Sequence, residues 1–388
     1  MSSFGDWLAT FALMALALDI SGSTTAVGGI LVLRMAPAVV TGPLLRFAGG
    51  RWSRKRLLLS LDLIRAALVA VIPLIRSLWW VYPWTLTMEV ATLVAIAARD
   101  TSIRDLVDDS KLETANSAIT AASYGSIPLG AGVFTGISWL AGQIGLDGLI
   151  DRFHVALWLD AATFLVSFAF ISRITDLPAR PDLGGDDRSV RFRQALRVPL
   201  IRGTLPPLFV ASMGIGTMFS VGIGFVRDSL GAGDAQFGLL VLVFGVGGGL
   251  GLGLRSWLEG GEVLGVRVGV AAMGLVLAAM SFVRTMGLTF IAAGAFGVAG
   301  AYAIVSGLTR LQADLDPARR FLGLGAFHIG VRVALSIGAL AAGVAVDLLG
   351  EGGGRDPIRI VMLVAGGLVT LAAILMSRVG EGAPSDAD

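Results

Sequence analysis

The chain has 388 residues, 55% of them hydrophobic and 15% charged, with 30 Lys+Arg against 28 Asp+Glu and a mean hydropathy of +0.80. An ordinary soluble domain is roughly 45–50% apolar and about 25% charged, so this composition excludes a cytosolic globular enzyme and a disordered chain alike. The lack of cysteine excludes a disulfide framework, a thiolate nucleophile and a zinc–thiolate site, and the two histidines, His154 and His328, are too few for a histidine-rich metal centre.

Apolar stretches long enough to cross a bilayer as helices, which takes about 20 residues, run along the chain at 26–50, 57–75, 78–98, 114–142 and 154–171. They resume after a polar interval at 200–226, 236–254, 263–283, 286–308, 321–349 and 358–376, and a shorter piece, 4–20, precedes them all. Membrane-barrel strands would alternate apolar and polar residues, and nothing here does. The expectation is an all-α membrane protein of twelve transmembrane helices in two six-helix bundles. The bundles take residues 1–172 and 200–378, a cytoplasmic linker 173–199, and a polar tail 379–388. The first helix is short: at 1.5 Å per residue, 4–20 reaches about 26 Å against a core of about 30 Å.

Basic residues set the orientation. With the N-terminus in the cytoplasm, 20 of the 30 Lys+Arg fall at inner ends and six at outer ends (Arg76, Arg152, Arg227, Arg284, Arg355 and Arg359). Four more, Arg34, Arg46, Arg65 and Arg332, lie inside spans. Both termini are therefore expected in the cytoplasm and the chain in the cell membrane. The excess of cations is a topology signal, and no nucleic-acid surface is expected. The linker, with Pro178, Pro181, Gly184 and Gly185, carries an amphipathic stretch near 190–197 suited to the anionic inner leaflet.

The two halves repeat weakly. SYGSIPLGAGVFTG at 123–136 parallels GVRVALSIGALAAG at 330–343, and AVGGIL at 26–31 parallels QFGLLV at 236–241 at nearly the same offset. The run GVGGGLGLG at 245–253 is neither a nucleotide loop nor preceded by a strand. Its Gly245, Gly249 and Gly253 recur every four residues, a spacing that lets helix backbones approach. No G-x-x-x-x-G-K-[ST] occurs, which excludes ATP-driven transport within this chain.

Several pieces carry a family resemblance: Gly5-Asp6-Trp7, Ser21-Gly22-Ser23, Arg34-Met35-Ala36-Pro37, Gly42-Pro43, Arg51 with Arg54-Lys55-Arg56, and Asp62-Leu63-Ile64-Arg65-Ala66. Ala115-Asn116-Ser117, Asp160-Ala161-Ala162-Thr163-Phe164, Phe237-Gly238-Leu239-Leu240 and Leu311-Gln312-Ala313-Asp314 extend it along nearly the whole chain. With these the chain resembles major facilitator superfamily transporters, in particular the branch of enterobactin exporters and macrolide efflux proteins. The resemblance implies the major facilitator fold and a conformational-switch loop at Gly42, Arg51, Arg54, Lys55 and Arg56. Two departures stand out. Where the family's loop carries a second glycine and an aspartate, this chain has Arg46 and Gly50, which removes the usual latch. Relatives also carry more residues before the Gly-Asp-Trp, which implies an upstream start or a clipped first helix.

Charges inside spans are costly and default to functional roles unless paired. Reflecting Asp62 through the hairpin of spans two and three places it at the depth of Arg46, a structural pair with Arg65 and Arg99 as competing partners. Arg34 and Glu89 lie eight and nine residues inward from the outer ends of spans two and four, hence at one depth. They are read as a structural pair, with proton coupling through Glu89 as the alternative. The resemblance puts helix one, with Asp6 and Asp19, on the translocation pathway, so both are further coupling candidates, Asp19 otherwise being solvated. Asp160 reads as helix-packing polarity, His328 as a satisfied buried histidine, and Asn116 and Arg332 as cavity candidates. The function expected is a proton-coupled secondary exporter of an apolar or amphipathic small molecule, working as a monomer without cofactor or metal. The alternatives are a lipid or lysolipid flippase and a transport-inactive receptor or assembly subunit.

Overall fold

A computed structural model describes residues 2–35, 53–106, 112–146, 150–174, 197–257, 262–313, 315, 317–350 and 356–375. Gly42, Arg46, Arg51, the latch position Gly50, most of the linker and the tail lie outside the described residues, as do the side chains of Arg54 and Asn116.

Twelve α-helices are present among the described residues: α1 (Ser2–Ser21), α2 (Thr24–Met35), α3 (Arg54–Val71), α4 (Leu78–Leu106), α5 (Leu112–Ile144), α6 (Arg152–Ser172), α7 (Pro199–Gly224), α8 (Asp234–Trp257), α9 (Glu262–Met280), α10 (Met286–Ala313), α11 (Pro317–Gly350) and α12 (Pro357–Leu375). Nine of these are long and apolar enough to cross a membrane. Helices suit hydrocarbon because every backbone N–H and C=O is satisfied within the segment. Pro83, Pro128, Pro206 and Pro207 stand inside helices, which such surroundings tolerate. A π-helical turn, Phe225–Ser229, extends α7.

The chain divides into two compact units, Met1–Gly22 with Leu33–Ser189, and Ser23–Val32 with Val190–Asp388. In the first, α1 lies against α5 and α6, and α3 against α4 and α6. Leu57, Leu58 and Leu61 of α3 meet Ala91, Val94, Ala95 and Ala98 of α4, the alanines letting the leucines close the gap. In the second, α8 pairs with α10, α7 with α11, and α9 with α10 and α12.

Within lipid there is little hydrophobic gain from joining helices, so close backbone approach has to hold the second unit together. The α8–α10 contact shows how. A Cβ on Gly247 would collide with the carbonyl oxygen of Gly294, and one on Gly251 with that of Val298. The contacting glycines are thus 247 and 251. This corrects the face expected from the four-residue spacing of 245, 249 and 253: a Cβ on Gly249 or Gly253 would meet nothing within 4 Å. The run is glycine on both registers, and only the buried one touches α10.

Gly247→Val should therefore force α8 from α10 and destabilise the protein by about 1–3 kcal/mol, the usual cost of overpacking. Gly249→Val should be tolerated. Thermal-shift measurements on the two purified variants by fluorescence-detected size exclusion check the difference.

Candidate functional site

Five helices of the first unit bring ionisable side chains into its interior. Asp6 sits on the second turn of α1, Arg34 near the end of α2, Asp62 and Arg65 on α3, Glu89 and Arg99 on α4, and Asp160 on α6. Arg34, Asp62, Arg65, Glu89 and Asp160 are all buried, Asp160 completely. Leaving such charges alone in a low-dielectric interior costs many kcal/mol, so the arrangement must neutralise them.

Arg34 lies between two carboxylates. Its Nη1 is 3.9 Å from Glu89 Oε2, and its Nη2 is 3.8 Å from Asp6 Oδ1 while donating a 2.9 Å hydrogen bond to the Asp6 backbone oxygen. The structure thus brings Arg34 and Glu89 together, and adds Asp6, which no depth argument had joined to them. Asp62 pairs with Arg65 one turn along α3. Arg65 also donates to the Leu61 carbonyl at 3.4 Å and stacks its guanidinium 4.3 Å from the centre of the Phe164 ring. Asp62 therefore has the partner that competed with Arg46.

Asp160 enters from α6 and lies against the α-carbon of Gly5: a Cβ there would overlap both Asp160 Oδ1 and Thr163 Oγ1. Only glycine at position 5 lets α1 meet this carboxyl. Its electrostatic neighbours are Asp6, Arg34 and Arg65. Sequence reasoning set Asp160 aside as packing polarity. The signal that points to it is the Gly5–Asp6 dipeptide, a small residue next to an acid on the facing helix.

Asp19 lies elsewhere, where α1 ends. Arg76 bridges it to Asp151, the latter at 2.6 Å, and Arg152 lies 3.4 Å from it. Asp151 caps α6, accepting the Phe153 and His154 backbone N–H groups at 2.9 and 3.1 Å, with His154 Nδ1 2.9 Å away. Burial pushes the Asp151 carboxyl up, but the hydrogen bonds from His154 and Phe153 outweigh it and hold the group below its ordinary 3.8. Asp19 thus belongs to a charge knot that ties the ends of α1, α3 and α6.

Of the switch-loop residues, Lys55 donates to the Ser172 and Ile174 carbonyls at 2.8 and 2.6 Å, capping the end of α6, and Arg56 is exposed. Arg332, on α11 of the second unit, is half-buried and makes no ion pair among the described residues. His328, expected buried, is exposed, its ring edge-on to Phe327 at 5.2 Å. The second unit also holds an apolar cluster: Met218 and Phe219 on α7, Phe244 on α8, Met280 on α9 and Phe296 on α10 line a cavity of about 10 Å³. No group of three or more potential metal ligands occurs among the described residues.

Asp62→Ala strands Arg65 in the interior and should reduce the folded protein recovered from membranes, at an expected cost on the order of 3–5 kcal/mol. Replacing both partners by leucine should be milder, and recovery of purified monodisperse protein compares the two. Asp151→Ala should cost about 1 kcal/mol near neutral pH through the lost cap. Because the native carboxyl is held below its ordinary value, its contribution is complete above 3.8 and disappears as pH falls through the native value. The stability difference between wild type and variant, followed by thermal shift against pH, should close on acidification.

No family model matches the chain, and no curated protein sequence does. Solved structures do. A bacterial homologue of the human lysosomal transporter Spinster, inward-facing and unoccupied, superposes with a TM-score of 0.78 at 13% identity over 97% of this chain and 95% of its own. The nucleoside transporter NupG gives 0.71 at 14% identity over 98% of each chain. A structure of proton-dependent oligopeptide transporters gives 0.70 at 13% over 98% of this chain and 97% of that one. At these identities the likeness is one of fold, and it extends end to end. The chain has the all-helical, membrane-spanning major facilitator fold.

Proposed function

We propose that the protein is a secondary-active exporter of an apolar or amphipathic small molecule, driven by protons and working by alternating access. The observation that carries this reading is the Asp6–Arg34–Glu89 triad, which the first unit brings together in its interior at 3.8 and 3.9 Å, beyond hydrogen-bond distance. Asp6 Oδ1 and Arg34 Nη1 accept and donate no hydrogen bond. A purely structural ion pair in such surroundings is expected to close to about 2.7–2.9 Å. An open one leaves room for partners to be exchanged, which is what coupling requires. The shared fold with transporters, one of them called proton-dependent, supports the class. The apolar character of the cargo is read from the scarcity of charged residues along the chain, 15% of the total.

Each proton moved across 100 mV supplies about 2.3 kcal/mol, roughly a fiftyfold substrate gradient. Glu89 and Asp6 then compete for Arg34, and protonating one releases the guanidinium to the other. Export direction and the drug or siderophore class of cargo follow from the family resemblance. The cell membrane and cytoplasmic termini follow from the 20 inner against six outer basic residues.

Screening a deletion strain against its complemented partner for compound susceptibility and exported metabolites identifies cargo. Everted vesicles energised with a pH gradient should lose part of that gradient when the compound is added, and Glu89→Gln should abolish the response while accumulating normally. Indifference of active wild-type protein to the gradient excludes proton coupling. The native chain has no cysteine, so single-cysteine labelling sets the orientation cleanly. Ala232→Cys should react with an impermeant maleimide on whole cells and Ser53→Cys only after lysis.

A further inference from the structure

Among the described, fully buried carboxyls of the first unit, Asp160 has no ion pair. It is 0% exposed, its Oδ2 has no hydrogen-bond partner, and no cation approaches within ion-pair distance among the described residues. The charged groups facing it are Asp6 on α1, Arg34 on α2 and Arg65 on α3, with Asp62, Glu89 and Arg99 one step further out around Asp6 and Arg34. The described part of α5, residues 125–144, brings no charge to this region.

Two independent counts meet at this residue. The first is of charge. Four carboxyls, Asp6, Asp62, Glu89 and Asp160, share the region with three guanidiniums, Arg34, Arg65 and Arg99. Arg65 is matched to Asp62, and Arg34 stands between Asp6 and Glu89 with Arg99 acting on Asp6. Among the described residues one carboxyl is left without a cation, and a buried charge without one is prohibitively costly. The second count is of hydrogen atoms. Thr163 Oγ1 lies 2.8 Å from the Asp160 backbone oxygen and 3.3 Å from Asp160 Oδ1. A hydroxyl has a single hydrogen, and the shorter contact, to the carbonyl, takes it. With that hydrogen committed, the hydroxyl's lone pairs are open to a hydrogen carried by the carboxyl 3.3 Å away.

We infer that Asp160 is a neutral carboxylic acid that donates to Thr163 Oγ1, and that during transport it passes this proton to the neighbouring Asp6–Glu89 pair that competes for Arg34. The first half stands on the geometry; the second rests on the proton-coupled reading above. When the proton leaves, the new carboxylate must be met by Arg34 or Arg65, the nearest guanidiniums, so deprotonation draws α2 or α3 toward α6. Gly5 keeps this route short, since any side chain there would push α1 off the carboxyl.

Infrared spectroscopy of the purified protein in lipid vesicles reads the proton without any substrate. At neutral pH the wild type should show the C=O stretch of a buried protonated carboxyl. Asp160→Asn, isosteric with the neutral acid, should lose that band, and Glu89→Gln should keep it. Thr163→Val, which removes the acceptor and leaves the acid, should shift the band without abolishing it. A band that survives in Asp160→Asn, or that ignores Thr163→Val, overturns the assignment. Should the band belong to Asp160 while imposed pH gradients drive no transport, the proton-coupled reading fails and the neutral acid stands.

Discussion

A charge inside a low-dielectric bundle has to be met by another charge or by a proton, and the first unit is arranged around that constraint. Five of its helices contribute ionisable groups to one interior region, and none of those helices can rotate without stranding something. Turning α4 takes Glu89 from Arg34, turning α3 takes the Arg65 guanidinium off the Phe164 face, and turning α6 drives Asp160 into α1. Apolar packing alone leaves helices in lipid free to slip about their axes. The charges fix the azimuth of each helix, and large apolar side chains such as Trp79, Leu129 and Phe170 are left on the outside of the unit.

The second unit meets the same problem with backbone instead of charge. Glycines 247 and 251 let α8 lie on α10 at carbonyl contact. Where α7, α9 and α12 meet, Arg359 donates to the carbonyls of Ser281, Val283 and Ser229 at 2.8, 2.5 and 3.4 Å and covers the Phe225 ring at 5.2 Å. Asp347 of α11 serves the start of α2, accepting the Thr24 and Thr25 N–H groups at 3.0 Å each and the Ser23 hydroxyl. Those are the orphan donors of a helix N-terminus, and a carboxylate there also meets the positive end of the helix dipole. The weak repeat between the halves thus extends to helix number and order and stops short of the interior chemistry.

Much of the fold is legible in residue types, because hydrocarbon thickness sets span length and the basic residues mark the ends. Depth is legible too: counting inward from helix ends puts Arg34 and Glu89 at one level. The azimuth is not. Counting cannot say which face of α8 meets α10 when 245, 247, 249, 251 and 253 are all glycine, nor that Asp62 turns to Arg65 on its own helix. Asp6, only five residues from the first, looks terminal by position. It becomes interior because α1 is already helical from Ser2 and two other helices close over it. Asp160 hides for the opposite reason. An acid followed by alanines and a threonine looks like ordinary polar packing until the glycine facing it on another helix is known.

Lys55 adds a chemical singularity. The chain has 28 arginines and two lysines, and this lysine holds the carbonyls of Ser172 and Ile174 where α6 ends. An arginine in its place could never be deprotonated or acylated, whereas a primary amine can be. Acylation of that one nitrogen would withdraw the positive charge and leave a single N–H, so at most one of the two carbonyls at the end of α6 would keep its donor. The end of α6 is thus fastened by a side chain that covalent chemistry can reach.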